Sequence, residues 1–201
     1  GQYVEERRNS QKWPLLSDKY VPGLECELDV ISDGEEIIIP GIFEHIEQAG
    51  VHSGDSVTIF PTISLSPEIK NRLVDYAHRI AIEVPIIGLM NIQFVVADDL
   101  VYVLEVNPRS SRTVPIMSKV TRIPMVEWGT RVQLGEKLTD LSAQLGLLPE
   151  PHFYAVKAPI FSATKLKEVD HVLGPEMKST GEILGLGRTR EEALEKALFL
   201  G

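Results

Sequence analysis

Residues 24–31 alternate between apolar and acidic side chains, and this pattern limits the possible folds more than any other part of the chain. A period of two is typical of a β-strand with one face in the core and the other toward solvent. Asp33 and Gly34 then form a tight-turn pair, and residues 36–46 return as a largely apolar segment. We therefore predict an antiparallel hairpin, preceded by a short strand at residues 15–21.

A second hairpin is predicted from residues 89–97 and 101–106, which flank the pair Asp98-Asp99. Simple alternation in its second strand predicts that Val101, Val103 and Glu105 share one face. The other face would then carry Tyr102, Leu104 and Val106.

The helices begin at recognisable caps. Ser66 and Pro67 open one helix as N-cap and first residue, and Pro85 ends it. Five apolar residues of that helix share one face, namely Ile69, Leu73, Ala77, Ile80 and Val84. We predict a further helix at residues 124–135 and a closing strand–strand–helix unit with a capping box at 189–192. The fold class predicted is α+β, an antiparallel-rich sheet with helices packed against one face.

Composition excludes several classes of protein. The net charge of −9 over 201 residues disfavours sequence-blind binding of nucleic acid, which needs a basic face. The single cysteine, Cys26, rules out a disulfide framework and fits a reducing cytoplasm. The apolar runs are far shorter than the ~20 residues that span a bilayer, so no membrane segment is expected. Residues 1–10 resemble the end of a helix without an initiator methionine, and we expect a piece of a longer chain.

Three side chains with oxygen donors lie on the second hairpin, and oxygen donors are what a hard cation binds. Gln93 lies on its first strand, and Glu105 and Asn107 lie two residues apart on its second, so we predict that they hold Mg²⁺ or Mn²⁺. Arg109 and Arg112 follow at once and are predicted to neutralise a transferring phosphoryl group. The alternative is a solvated edge with both arginines in surface ion pairs.

The loop at residues 50–56 contains two glycines and several small polar residues around His52. Such a loop exposes backbone N–H groups to an anion, and His52 can donate one more hydrogen bond. An exposed loop histidine without a ligand is the alternative interpretation.

The order and spacing of three motifs resemble those of ATP-grasp enzymes. The motifs are Gly50-Val51-His52-Ser53-Gly54-Asp55-Ser56, Gly88-Leu89-Met90-Asn91-Ile92-Gln93-Phe94 and Glu105-Val106-Asn107-Pro108-Arg109. With residues 45–49 and the pair Val114-Pro115, the chain is most similar to the large subunits of carbamoyl phosphate synthetases, in the C-terminal half that phosphorylates carbamate. The resemblance extends from about residue 15 to the end.

The resemblance implies roles for individual residues. Backbone groups of Lys19, Tyr20 and Val21 would hold adenine, and Glu25 would hold the ribose, although Glu25 can also be read as a solvated acid. The other nucleotide residues implied are Gly50, Val51, His52, Ser53, Gln93 and Glu105. A monovalent cation such as K⁺ would lie at His45, Glu47 and Gln48, which can also be explained as polar residues of an alternating strand.

The resemblance also implies a domain organisation. Residues 1–20 would end the smaller ATP-grasp subdomain and form a hinge strand, and residues 21–201 would form the larger subdomain. Within the larger subdomain, residues 21–112 would carry the metal and nucleotide floor, and residues 113–201 a helical and strand extension. A Gly-rich lid with phosphate-binding residues would precede residue 15, so we expect the chain alone to bind ATP weakly and to be inactive.

The implied function is ATP- and Mg²⁺-dependent phosphorylation of carbamate in a cytoplasmic ligase. The intact enzyme would use a glutaminase small subunit and would feed arginine and pyrimidine synthesis. Two alternatives stay open at this point. One is another ATP-grasp carboxylate ligase or a biotin-dependent carboxylase, and the other is a non-catalytic interaction module that keeps the sheet.

Overall fold

A computed structural model describes residues 19–162 and 173–199, and within them nine strands form one mostly antiparallel sheet. The strands are β1 (Leu24–Asp33), β2 (Ile37–Ile39), β3 (Ile42–Gln48), β4 (Thr58–Phe60), β5 (Ile87–Ala97), β6 (Leu100–Asn107), β7 (Gly146–Leu147), β8 (Tyr154–Ile160) and β9 (Gly181–Gly187). Their order is β6-β5-β1-β3-β4-β8-β9, with β2 beside β1 and β7 beside β2. The helices described are α1 (Pro67–Glu83), α2 (Val114–Thr121), α3 (Met125–Gln133), α4 (Leu138–Leu141) and α5 (Arg190–Leu198).

The first predicted hairpin is confirmed, because β1 pairs antiparallel with both β2 and β3. Gly34 adopts φ +88°, which favours glycine at the turn. Asp33 Oδ1 accepts the backbone N–H groups of Glu35 and Glu36 at 3.0 and 2.8 Å. Residues 40–41 interrupt the returning segment and divide it into two strands.

The strand predicted at residues 15–21 is not confirmed. Residues 15–18 lie outside the described residues, as does the helix end predicted at 1–10, and residues 19–21 have no regular secondary structure.

The second predicted hairpin is confirmed, and its two-residue turn has the expected geometry. Asp98 and Asp99 have φ of 49° and 60°, as a type I′ turn requires. β5 pairs antiparallel with β6 on one side and with β1 on the other, so the hairpin is an extension of the central sheet.

A β-bulge in β6 corrects one prediction. Gln93 pairs with Glu105, whereas the next residue of β5, Phe94, pairs with Val103. Leu104 is therefore the extra residue of the bulge, and it reverses the alternation of side chains along β6. The prediction that the two preceding valines share a face with Glu105 is wrong, and Glu105 instead faces the same side as Gln93.

Helix α1 begins at its predicted cap, where Ser66 Oγ accepts the N–H of Ile69 at 3.3 Å. It covers one face of the sheet through a core that includes Cys26, Leu28, Val30, Ile69, Leu73, Ala77 and Ala81. Val84 is 58% exposed because the helix ends at Glu83, so the predicted apolar face is wrong at its last position.

Helices cover both faces of the sheet, which corrects the prediction of one covered face. Ile31 lies on the side of β1 opposite to α1, and it joins Phe43 and Phe60 in a second core under α2 and α3. Met117 of α2 and Val132 of α3 are buried in that core. The helix at residues 124–135 is confirmed as α3, whereas α2 was not predicted. This second face is apolar only at one end. The helices cover that end, and the acidic end is not part of their core.

The closing strand–strand–helix unit is confirmed. Thr189 Oγ1 accepts the N–H of Glu192 at 3.2 Å, and Glu192 Oε2 accepts the N–H of Arg188 at 2.7 Å. Helix α5 lies so close to β9 that a Cβ atom at Gly185 would be 2.1 Å from the backbone oxygen of Ala193. The glycines of β9 thus allow close helix packing.

Candidate functional site

The acidic end of the second face forms a polar surface at the centre of the sheet, which we call the polar face. The strand register builds it, because Glu27 of β1 lies opposite Gln93 of β5, and Gln93 lies opposite Glu105 of β6. The side chains of the polar face are Glu25, Glu27, Asp29, His45, Asn91, Gln93, Glu105, Asn107 and Lys157.

A cavity of about 200 Å³ opens at one end of the polar face, between β1, β5, β6 and the loop at residues 50–53. Leu104, the bulge residue of β6, and Pro175 complete its wall. The structure here brings together seven of the predicted nucleotide residues, namely Glu25, Gly50, Val51, His52, Ser53, Gln93 and Glu105.

Lys19 and Val21, the predicted adenine residues, do not line this cavity. The segment that contains them lies against its loop, because Tyr20 Oη donates to the backbone oxygen of Ala49 at 2.8 Å. Gly50, the next residue, has φ +110°, which places a glycine where the loop turns.

A second cavity, of about 100 Å³, shares His52, Ser53, Gln93 and Glu105 with the first. Both predicted catalytic residues, Arg109 and Arg112, line this second cavity. The loop at residues 50–53 therefore lies between Glu25, the predicted ribose carboxylate, and the two arginines.

The two arginines are held differently. Arg112 Nε pairs with Glu182 at 2.9 Å, and its Nη1 donates to Ser179 Oγ at 3.2 Å. Arg109 is exposed, and the hydrogen bond described for its guanidinium is to the backbone oxygen of Ser110 at 3.0 Å. Arg112 thus has a fixed direction, while Arg109 can reorient toward a ligand.

The proposed metal ligands offer oxygen donors of the kind that a hard cation takes. Glu105 is exposed and has no hydrogen bond or ion pair to the part of the chain that the structure describes. Gln93 Nε2 donates to Ser53 Oγ at 3.2 Å, which leaves its Oε1 for another partner. Asn107 lies opposite Asn91, and its buried Nδ2 has no hydrogen-bond partner among the described residues.

These donors fit Mg²⁺ or Mn²⁺ only where phosphate oxygens and water complete the coordination. No group of three or more His, Cys, Asp or Glu side chains in residues 19–162 and 173–199 is arranged as a metal site. Gln93 and Glu105 line both cavities, whereas Asn107 lines neither.

Three charged residues of the polar face were not predicted as part of the site. Glu27, Asp29 and Lys157 are each at most 3% exposed. An acid on an alternating strand is expected to face solvent, and nothing in the sequence indicates that loops cover this face. The spacing of the acids along β1 was the available signal, because it places them on the side of Glu25.

Electrostatics couple these groups. Burial raises the pKa of Glu27, but His45, Lys157 and Asn91 outweigh burial and hold that pKa below its ordinary value. Burial lowers the pKa of Lys157, which the carboxylates of Glu27 and Glu182 oppose. Lys157 Nζ also donates to the backbone oxygen of Ser53 at 2.9 Å. This buried ammonium group therefore holds the loop at residues 50–53 against the sheet.

Asp55 ties the same loop to the segment before β9. Its carboxylate accepts the backbone N–H groups of Lys178 and Ser179, each at 2.8 Å, and these bonds hold its pKa below the ordinary value in spite of burial. His52 donates its backbone N–H to the oxygen of Gly174 at 2.9 Å, and its Nδ1 accepts the N–H of Gly54. The loop is therefore held from two sides without a ligand.

The three predicted K⁺ residues lie on β3 and have different surroundings. His45 is buried, with Nδ1 3.7 Å from Glu25 and Nε2 3.6 Å from Glu27. Glu47 Oε2 accepts the backbone N–H of Val57 at 2.8 Å, and Gln48 is exposed at the end of β3. Burial raises the pKa of Glu25, while His45 opposes that change. The structure thus places His45 between Glu25 and Glu27.

Comparison with known proteins identifies the family. Residues 8–141 match the family model described as carbamoyl-phosphate synthase L chain, ATP binding domain. This chain belongs to that family. Carbamoyl phosphate synthase large chains of Clostridium botulinum, from strains Loch Maree (Type A3) and Kyoto (Type A2), are each 53% identical to it over 194 residues. The match covers 96% of this chain and 18% of each relative, so the chain spans under a fifth of the length of these curated relatives.

Solved structures show the same fold for this member of the carbamoyl-phosphate synthase family. A biotin carboxylase domain of a single-chain bacterial carboxylase aligns with a TM-score of 0.58 and 21% identity, over 68% of this chain and 32% of that one. The Kluyveromyces lactis urea carboxylase aligns with a TM-score of 0.67 and 17% identity, over 87% of this chain and 18% of that one. The prediction of an α+β ATP-grasp domain is confirmed. No helix within residues 19–162 and 173–199 has the length and apolar character needed to cross a membrane.

Proposed function

We propose that this chain carries the metal and nucleotide floor of a carbamoyl phosphate synthase, in the half that phosphorylates carbamate. In the intact enzyme the γ-phosphoryl group of ATP would pass to a carbamate oxygen, giving carbamoyl phosphate and ADP. The observation that carries the proposal is the cavity that joins Glu25 and the 50–53 loop to Gln93 and Glu105. Family membership favours a synthase over the carboxylases, whose likeness concerns the fold alone.

Each group has a role that its position supports. Glu25 would accept the ribose hydroxyls, and Leu104 and Val51 would supply apolar contact at the mouth of the cavity. The 50–53 loop would direct N–H groups and His52 toward the phosphates. A divalent cation held by Gln93, Glu105 and Asn107 would neutralise the phosphate charge when bound.

The arginines would act on the transferring group. Arg109 is free to reorient, so it would close on the phosphoryl oxygens after the substrates bind. Arg112, fixed by Glu182, would present a constant positive charge as the phosphoryl group moves. Such catalysis consists of positioning and charge stabilisation and needs no covalent enzyme intermediate.

Family membership also supports a proposal about the pathway, the partner subunit and the location of the intact enzyme. We propose a cytoplasmic enzyme that works with a glutaminase small subunit and supplies carbamoyl phosphate for arginine and pyrimidine synthesis. A K⁺ ion near His45, Glu47 and Gln48 is part of this proposal.

Substitution of Glu105 in the whole synthase tests the proposal. Glu105→Gln removes the one full negative charge among the three ligands, so Mg²⁺-dependent ADP formation should fall to background. The fold should survive, because Glu105 is exposed and has no described partner. Glu195→Gln, at an exposed position on α5, is the matched control. Normal turnover of Glu105→Gln at ordinary Mg²⁺ concentrations would contradict the proposed site.

A further inference from the structure

The loop between β6 and α2 is fastened to the sheet at both neighbours of Arg112. Ser111 Oγ lies 2.6 Å from Asp29 Oδ1, and Thr113 Oγ1 lies 2.6 Å from Asp29 Oδ2. One carboxylate of β1 thus holds the residue before Arg112 with one oxygen and the residue after it with the other.

The surroundings of Asp29 favour an ionised acceptor. Asp29 is 1% exposed, and its Oδ1 also accepts from Asn91 Nδ2 at 3.0 Å. Ser111 and Thr113 hydroxyls lie 2.8 Å apart, and each has a single proton to give. When both donate to the carboxylate, Asp29 accepts from three donors, and these bonds offset part of the desolvation of its charge.

The hydroxyl of Ser111 also accepts hydrogen bonds at the start of helix α2. Ser111 Oγ accepts the backbone N–H groups of Thr113 and Val114 at 3.1 and 3.3 Å. The backbone on either side of Arg112 is therefore fixed through side chains, independently of the Arg112 pair with Glu182.

We propose that Asp29 is a positioning residue that holds the Arg112 loop in place through Ser111 and Thr113. No sequence motif assigned Asp29 a role, and it lines neither of the two cavities. Its use for phosphoryl transfer rests on the function proposed above for Arg112. The restraint on the loop does not, and it can be measured separately.

The loop restraint is tested in the 201-residue chain by amide hydrogen exchange. Thr113→Val keeps the shape of the side chain and removes the hydroxyl, while Thr113→Ser keeps the hydroxyl. We expect the amides of residues 111–114 to exchange at least about tenfold faster in Thr113→Val and in Asp29→Asn, since each loses a bond to a charged acceptor. Thr113→Ser should restore slow exchange, and the amides of β5 should be unchanged in all three variants.

The kinetic test uses the whole synthase. Asp29→Asn and Thr113→Val should lower kcat by about tenfold or more with little change in the KM for ATP, because a misplaced charge acts mainly in the transition state. Thr113→Ser should recover most of the lost kcat. Ser110→Ala, in the same loop but without a bond to Asp29, is the control. Asp29→Asn combined with Arg112→Lys should be no slower than Arg112→Lys alone, because both changes remove the same contribution.

The outcomes separate the two proposals. Unchanged exchange at residues 111–114 in Asp29→Asn and Thr113→Val overturns the inference. Fully additive losses in the double variant also overturn it, since Asp29 would then act independently of Arg112. Faster exchange in Asp29→Asn and Thr113→Val would confirm the restraint on the loop. If Arg112→Lys then has a normal kcat, the function proposed for Arg112 is contradicted while the restraint stands.

Discussion

Arg109 and Arg112 differ at the scale of single residues in how much freedom their guanidinium groups have. Replacing either with lysine keeps the charge but removes the planar fork that holds two phosphate oxygens. We expect kcat of the whole synthase to fall strongly in both variants, with a smaller change in ATP affinity. Arg112→Lys should also lower the melting temperature slightly, because Arg112 forms an ion pair with Glu182 and donates a hydrogen bond to Ser179.

Steady-state kinetics and thermal denaturation of each variant check this prediction. Arg122→Lys, which changes an exposed arginine at the end of α2, is the control. A collapse of ATP affinity with normal turnover at saturation would mean that the arginines anchor the ground state.

Asp29 gives stability an unusual pH dependence. Burial and the charge of Glu27 raise the pKa of Asp29 from 3.8 to about 6, and the hydrogen bonds from Ser111, Thr113 and Asn91 oppose that change only in part. The folded chain therefore holds this proton more tightly than the unfolded chain. Protonation as the pH falls from about 6 toward 4 favours the folded state, and that contribution is lost as the pH rises through 6.

The difference between the wild type and Asp29→Asn isolates this effect. The free energy of unfolding of the wild type minus that of Asp29→Asn should be larger at about pH 4.5 than at pH 7, measured with urea. Asp140→Asn, at an exposed carboxyl, is the control. Glu27 is the charged neighbour that acts on Asp29, and it is present in both proteins, so the difference between them isolates Asp29. An equal difference at both pH values would contradict the raised pKa.

At the scale of secondary-structure elements, the close packing of α5 on β9 requires glycine at position 185. A Cβ atom at Gly185 would meet the oxygen of Ala193 at 2.1 Å and the nitrogen of Ala197 at 2.6 Å, so α5 must move away. Gly185→Ala should lower the free energy of unfolding by about 1–3 kcal/mol, as overpacking does.

Gly181→Ala in the same strand is the matched control, because its Cβ would touch Ile160 at an ordinary 3.5 Å. Urea denaturation of both variants measures the difference. Equal stability of the two variants would contradict the close helix contact.

At the scale of the whole molecule, the groups that we propose to face the phosphates lie on the loop at residues 50–53 and on the loop between β6 and α2. The resemblance places a Gly-rich lid and further basic residues before residue 15. We expect the chain alone to bind MgATP at least about a hundredfold more weakly than the whole synthase, because loss of two charge-assisted contacts costs roughly 3–6 kcal/mol. Calorimetric titration with MgATP and an assay for ADP release measure this. Micromolar binding with measurable turnover would contradict it.

The local pattern of the sequence determined the elements whose signals are short in range. Alternation in residues 24–31, the Ser66–Pro67 cap and the aspartates at 98–99 depend only on neighbouring residues, and the structure has a strand, a helix and a turn there. The motif spacing also determined the family and most of the residues around the larger cavity.

Tertiary structure decided the rest, because burial and register depend on residues distant in sequence. Alternation shows that the acids of β1 share a side, but only the loops that cover that side make Glu27 and Asp29 buried. The bulge at Leu104 arises from pairing between strands, and it turns Glu105 toward Gln93. Asp29 reaches Ser111 and Thr113 across more than 80 residues, a contact that no local spacing contains. The sequence by itself therefore determined which polar and charged side chains the site can contain. Long-range packing determined which of them meet and, through burial, how their pKa values shift.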